Sequence, residues 1–102
     1  MLNLVYASVF EADFSELIGY FQQNGGASVS ERFEDSVVHV VNLLLDNPEL
    51  GRLRRDLKPA GIRSFGVPQF RNYVLFYRVA GEELTLLRVR FGGMDLPSLF
   101  RA

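Results

Sequence analysis

The chemistry open to this chain is set by which reactive side chains it lacks. It has no cysteine, so thiolate nucleophiles, disulfides and thiolate metal sites are excluded. Its one histidine, His39, falls in the middle of a helical pattern. No Ser–His–acid or Cys–His set can be assembled around it, and no ligand stands at metal-binding spacing from it. A lone mid-helix histidine is more often structural or exposed than catalytic. Phosphate-binding glycine loops are absent, and Gly92-Gly93 is a glycine pair better read as a turn. What remains is cationic. Arg63, Arg88 and Arg90 are residue types that stabilise a pentacoordinate phosphorane, so metal-free RNA cleavage in a basic pocket is the single catalytic chemistry left open. On this basis no catalytic residue, metal or cofactor is assigned.

Binding is the better use of the same side chains. If Ala80 pairs with Glu83 across a tight turn, Val74, Phe76, Leu87, Val89 and Phe91 share one strand face. Tyr73, Leu75, Tyr77, Leu86, Arg88 and Arg90 then share the other. The first set is apolar and is expected against the helices. The second mixes aromatics with arginines, the composition of interaction surfaces, although cross-strand pairing of long side chains also accounts for it. Arg63, Tyr73, Tyr77, Arg88 and Arg90 are therefore the candidate binding residues, and Arg52, Arg54, Arg55 and Lys58 form a candidate basic loop.

The elements that must position these residues follow from local pattern. Residues 2–7 alternate loosely and predict a strand. Ser8 with Glu11, and later Ser28 with Glu31, have capping-box spacing. Phe14, Leu17, Ile18 and Phe21 make one apolar stripe; Phe33, Val37, Val40, Val41 and Leu44 make another. Asn24-Gly25-Gly26 breaks the helix between them and Asp46-Asn47-Pro48 ends the second, so an antiparallel helical hairpin is expected. After the basic segment 50–60, strands are predicted over 62–67, 72–79 and 83–91, with Pro68 in a connection and a tight turn at residues 80–82. A short helix is predicted over 95–101. The result is an α+β domain, β-α-α-β-β-β, with the helical hairpin packed on an antiparallel sheet.

A chain of 102 residues makes one domain. The first residues lack a basic segment followed by a long apolar one, and the longest apolar stretch, around residues 37–45, is too short to span a bilayer. A soluble, cytoplasmic protein is expected. Its net charge of −1 conceals an asymmetry. Residues 1–50 hold eight carboxylates against Arg32 alone, a net −7; residues 51–102 hold ten Arg or Lys against four carboxylates, a net +6. Either the basic half meets an anionic partner, or acidic helices neutralise a basic sheet within the fold.

From end to end the chain resembles the RelE/ParE toxin superfamily. The resemblance runs through Ala12-Asp13-Phe14, Pro48-Glu49-Leu50-Gly51 and Leu57-Lys58-Pro59-Ala60-Gly61-Ile62-Arg63-Ser64-Phe65. It continues through Phe70-Arg71-Asn72-Tyr73-Val74-Leu75-Phe76-Tyr77-Arg78-Val79 to Leu86-Leu87-Arg88-Val89 and Gly92. RelE-type members cut mRNA on the ribosome; several carry an arginine where this chain has Val74, and a basic residue where it has Met94. Here no tyrosine or histidine follows Tyr77. ParE-type members look closer, in Ile62-Arg63-Ser64-Phe65, Asn72-Tyr73 and Arg88-Val89. Their common His-Gly-Ala-Arg-Asp ending reads Phe91-Gly92-Gly93-Met94-Asp95 in this chain.

The resemblance implies a non-enzymatic poison of DNA gyrase. It also implies a cognate antitoxin, whose C-terminal segment folds on binding in a hetero-oligomer, and no membrane partner. Arg63, Tyr73, Tyr77, Arg88 and Arg90 would then serve target or antitoxin. An acidic antitoxin tail is expected in the apolar groove between the hairpin and the sheet edge, near the arginine-bearing strands. The alternatives are a ribosome-dependent mRNA endoribonuclease, and an inactive relative that only binds its antitoxin.

Overall fold

The computed structural model describes residues 2–93 and Phe100. The predicted terminal helix over 95–101 therefore lies outside the described residues, apart from Phe100. The elements run β1 (Asn3–Tyr6), α1 (Ser8–Asp46), β2 (Arg52–Leu53), β3 (Ile62–Val67), β4 (Phe70–Ala80) and β5 (Glu83–Phe91). Helix α1 is one helical run broken at Gly26, whose φ of 82° and ψ of 177° lie outside helical space. That backbone region is essentially reserved for glycine. The break folds the helix into two arms. Phe14 and Phe33 have ring centroids 6.2 Å apart, and Phe21 and Phe33 4.8 Å. In a straight helix, at about 1.5 Å per residue, the second pair alone would stand roughly 18 Å apart. The expected hairpin is present.

Its start differs from the expected capping box. Ala7 is the cap residue and makes no side-chain cap bond. Its backbone is engaged instead, accepting from Glu11 N at 3.1 Å and donating to Leu86 O at 3.0 Å. In the second arm the hydroxyl that bonds backbone is that of Ser30, donating to Ala27 O at 3.0 Å.

The sheet has five strands in the order β1-β5-β4-β3-β2. The last four strands pair antiparallel, as expected, but β1 joins β5 in parallel, from Asn3 opposite Glu83 to Tyr6 opposite Leu86. The sheet is thus mixed. The expected basic loop contains the unpredicted strand β2, and β4 begins at Phe70, two residues before its predicted start. Ala80 does pair with Glu83, with Gly81 at φ 61° in the turn.

The strand faces are the main correction. Beyond Tyr77–Leu86 the register slips, so Phe76 stands opposite Arg88, Leu75 opposite Val89 and Tyr73 opposite Phe91. Leu87 is the extra residue, and a bulge of this kind reverses the alternation along the rest of the strand. The core beneath the helices contains Leu75, Tyr77, Leu84, Leu86 and Val89, with Tyr73 packed against it. Phe76, expected there, belongs to a second cluster with Leu57 and Ile62, joined by Val74, Leu87 and Phe100. The register places Ser64 opposite Phe76 and Ile62 opposite Arg78, so this cluster lies on the outer face of the sheet. Both faces are covered, which is why both sets of alternate residues are rich in apolar side chains. Phe33 is the hub of the main core, with its ring against those of Phe14, Phe21, Phe70 and Tyr73.

Candidate functional site

The arginines of β5 meet a buried carboxylate. Strand β1 ends at Tyr6, so among the described residues β5 beyond Leu86 has no strand neighbour on that side. The first arm of α1 crosses there and sets Asp13, only 4% exposed, against the strand edge. Asp13 Oδ2 accepts from Arg88 Nε at 2.7 Å and from the Val89 backbone N–H at 3.3 Å. Asp13 Oδ1 accepts from Arg88 Nη2 at 3.0 Å and from Arg90 Nη1 at 3.3 Å. Arg90 Nη1 also lies 3.5 Å from the exposed Glu16. The carboxylate completes the strand edge where β1 is too short to do so, and two cations compensate its burial. The expected neutralisation of acidic helix by basic sheet is therefore realised at this point. Asp13 was missed as a site residue. Its signal was available: it falls among Phe10, Phe14 and Leu17 on an apolar helical stripe, where a charge requires a partner.

Tyr77 and Arg63 lie elsewhere and clamp a connection. Tyr77 is fully buried, so the expectation that it faces a partner is corrected. Its hydroxyl donates to Pro48 O at 2.7 Å and accepts from Gly51 N at 2.9 Å. Burial pushes the Tyr77 phenol up, and the Gly51 N–H and the nearby Arg63 charge oppose that shift only in part, so the donating form persists at neutral pH. Arg63 Nη1 donates to Gly51 O at 2.8 Å and to Glu49 O at 3.2 Å. Together they hold the turn that leads from α1 into β2. Gly51 has no room for a side chain: a Cβ there would stand 2.6 Å from the Tyr77 ring and hydroxyl.

Arg63, Arg88 and Arg90 thus do not converge on one pocket. Strand β4 separates β3 from β5. Arg63 shares its register position with Tyr77 on the helix side, whereas Arg88 and Arg90 stand opposite Phe76 and Val74 and turn to the far strand edge. Tyr73 is half-buried between Phe21, Phe33 and Phe91, and burial, then the neighbouring Tyr20, raises its pKa.

The basic segment behaves differently. Arg54 is held by Asp56, through contacts of 2.7 and 3.0 Å, and by Ser64 Oγ at 3.4 Å. The Arg54 hydrogen bond keeps the Asp56 carboxyl below its ordinary value. The Arg54 guanidinium lies 6.0 Å from the centre of the Phe76 ring. The side chains of Arg52, Arg55 and Lys58 are exposed and make no hydrogen bond or ion pair among the described residues, although the Arg52 charge also helps to lower the Asp56 carboxyl.

A groove of about 610 Å³ opens between the two arms of α1 and β1. Leu4, Tyr6, Phe10, Phe14, Val37 and Val38 give it an apolar floor and walls, with Tyr6 and Val38 about half exposed. The expected groove between hairpin and sheet edge exists. Among the described residues its charged lining is Glu11 and Glu34; the arginine-bearing strand β5 contributes Leu86 to it, with Arg88 and Arg90 held by Asp13 on the adjoining helix. Among the described residues no cluster of potential metal ligands occurs, and no helix is long and apolar enough to cross a membrane.

The family model of the ParE toxin of type II toxin–antitoxin systems, parDE, matches residues 4–96. The chain belongs to the ParE toxin family. A relative in Caulobacter vibrioides, toxin ParE3, is 35% identical over 76 residues, which span 74% of this chain and 72% of that toxin. Among solved structures, a chain of the chromosomal ParDE toxin–antitoxin system of P. aeruginosa superposes with a TM-score of 0.74 at 20% identity. The match covers 89% of this chain and 96% of that one, and it shows the shared fold. A copper-bound mutant toxin from Helicobacter pylori matches with a TM-score of 0.55 at 28% identity, over 89% of this chain and 94% of that one. The ParE toxin assignment agrees with the resemblance carried by the Ile62-Arg63-Ser64-Phe65 and Asn72-Tyr73 segments.

Proposed function

We propose that this ParE-family toxin acts by direct binding to DNA gyrase rather than by cutting RNA, and that a cognate antitoxin holds it inactive in a hetero-oligomer. The observation that carries the reading is the commitment of its arginines. Arg63 is bonded to the carbonyls of Glu49 and Gly51, and Arg88 and Arg90 to Asp13. Metal-free RNA cleavage needs cations preorganised around one scissile phosphate. Arg63 is separated by strand β4 from Arg88 and Arg90, which share one carboxylate, and all three are occupied by intramolecular acceptors. A toxin that works as a rigid binding surface has no such requirement. The antitoxin follows from the family's type II systems, in which toxin and antitoxin are paired.

The test is induction of the chain alone in a bacterial host, with chromosomal breaks and total mRNA integrity scored in one culture. DNA breaks and filamentation with intact mRNA are expected. Cleaved mRNA with intact chromosomes would transfer the protein to the ribonuclease reading, and normal growth would mark an inactive binder of its antitoxin.

A further inference from the structure

The lone histidine meets a strained turn on the helix side of the sheet. Val67-Pro68-Gln69-Phe70 joins β3 to β4, and Gln69 has φ 68°. Among the described residues every other positive φ belongs to a glycine: Gly26, Gly61 and Gly81. Glycine at position 69 would take this conformation freely, whereas glutamine takes it against its own Cβ. Strain kept where glycine would remove it points to a use for the side chain. Across from the turn, Arg32, Asp35, Ser36 and His39 fall on one stripe of the second arm of α1, spaced three and four residues apart. With Pro68 and Gln69 they line a hollow of about 450 Å³. Ser36 is half-buried and the other five are exposed. Their side chains make no hydrogen bond or ion pair among the described residues, and this includes Arg32 with Asp35, one turn apart. Phe100 packs on Phe76 at the outer face of the sheet, so the hollow lies on the opposite side from it.

We infer that this hollow is the surface through which the toxin grips its target protein, with Arg32, Asp35, His39 and Gln69 contacting a polar loop of that target. The inference deepens the proposed binding to gyrase and rests on it for the partner's identity. The arrangement fits a loop that presents a carboxylate to Arg32 and a cationic or amide donor to Asp35. Opposite charges one helical turn apart fix the register of such a loop and reject its mirror arrangement. The Gln69 amide, with both a donor and an acceptor, matches the peptide groups of the loop's backbone. DNA does not suit this surface: the exposed Glu31, Glu34 and Asp35 outnumber Arg32 on the arm and repel a phosphate backbone. In a complex of gyrase with DNA, the hollow therefore meets the protein.

The experiment takes the full chain and its Gln69→Gly, Arg32→Glu and His39→Ala variants through thermal unfolding, gyrase supercoiling and growth on induction. Gln69→Gly relieves the backbone and removes the amide. Its Tm should rise while the toxin concentration for half-inhibition increases about tenfold, a separation that a merely structural turn would not give. Arg32→Glu should keep Tm within about 4 °C of the parent and weaken inhibition about tenfold or more. His39→Ala should fold as the parent does and weaken inhibition by a smaller factor. A stabilised Gln69→Gly that inhibits as well as the parent, with Arg32→Glu also at full potency, would overturn the inference. If the parent arrests growth but leaves gyrase untouched, the gyrase reading fails and growth decides the site. Folded variants that no longer arrest growth would then support the hollow as the target surface, and variants as toxic as the parent would overturn it. A parent that neither inhibits gyrase nor slows growth would overturn both.

Discussion

Removing the Asp13 carboxylate should be among the most damaging single changes in this protein. The carboxylate is 4% exposed and accepts from Arg88, Arg90 and the Val89 backbone N–H. Asp13→Ala leaves two guanidinium groups facing each other across a vacated site, and a strand-edge N–H without its acceptor. Loss of one partner from a buried, hydrogen-bonded ion pair costs about 3–5 kcal/mol. Arg88 and Arg90 keep 18% and 20% side-chain exposure. Water can therefore reach them, and the lower end of that range, about 3 kcal/mol, is the expected loss. For a domain of this size that corresponds to a fall in Tm on the order of 10–20 °C. Urea unfolding followed by circular dichroism measures it directly. Glu16→Ala is the internal control: it removes the exposed, 3.5 Å contact to Arg90 and should cost well under about 1 kcal/mol. If Asp13→Ala unfolds within about 1 kcal/mol of the parent, the carboxylate does not pin the hairpin to the sheet, and the role given to it at the β5 edge is refuted.

Other expectations test separate parts of the fold. Gly26→Ala places a side chain at φ 82° and ψ 177°, and should cost about 1–3 kcal/mol in the same assay without changing the folded spectrum. Tyr77→Phe strips the partner from the buried Gly51 N–H and from Pro48 O; a loss of about 1–3 kcal/mol is expected, and no loss would show that the turn is held by Arg63 alone. Gly51→Ala drives a Cβ to 2.6 Å from Tyr77 and should destabilise by about 1–3 kcal/mol through overpacking. Phe33→Ala empties the aromatic hub and should cost about 3–5 kcal/mol, enough to leave the domain largely unfolded on warming.

Local signals carried much of the architecture. Gly25-Gly26 between two apolar stripes gave the hairpin, because only glycine readily takes the φ and ψ found at position 26. Gly81 between two β-rich runs gave the pairing of Ala80 with Glu83. What stayed hidden was non-local. Nothing in residues 3–6 reveals that they pair with the last strand, in parallel. Strand β2 is two residues long and basic, and exists because β3 offers it an edge. The bulge at Leu87 defeated the assignment of faces. Simple alternation grouped Val89 with Phe76 and Leu87, whereas the slipped register sets Val89 beside Leu75 and Tyr77 under the helices and leaves Phe76 on the outer face. Candidate residues were legible by type but not by role. Arg88 and Arg90 stand out among the five candidate binding residues, but their acceptor Asp13, seventy-five residues before Arg88, is legible only as an unexplained charge on an apolar stripe. Of the candidate basic loop, Arg52, Arg55 and Lys58 are exposed, whereas Arg54 is held by Asp56.

The most direct test of the proposed function is a supercoiling assay with purified toxin, DNA gyrase, relaxed plasmid and ATP. Supercoiling should fall as toxin is added, linear plasmid should accumulate when the reaction is stopped with detergent and protease, and antitoxin added first should prevent both. Supercoiling unchanged at a large excess of folded toxin would contradict the gyrase reading, and the binding target of this ParE-family chain would have to be sought elsewhere.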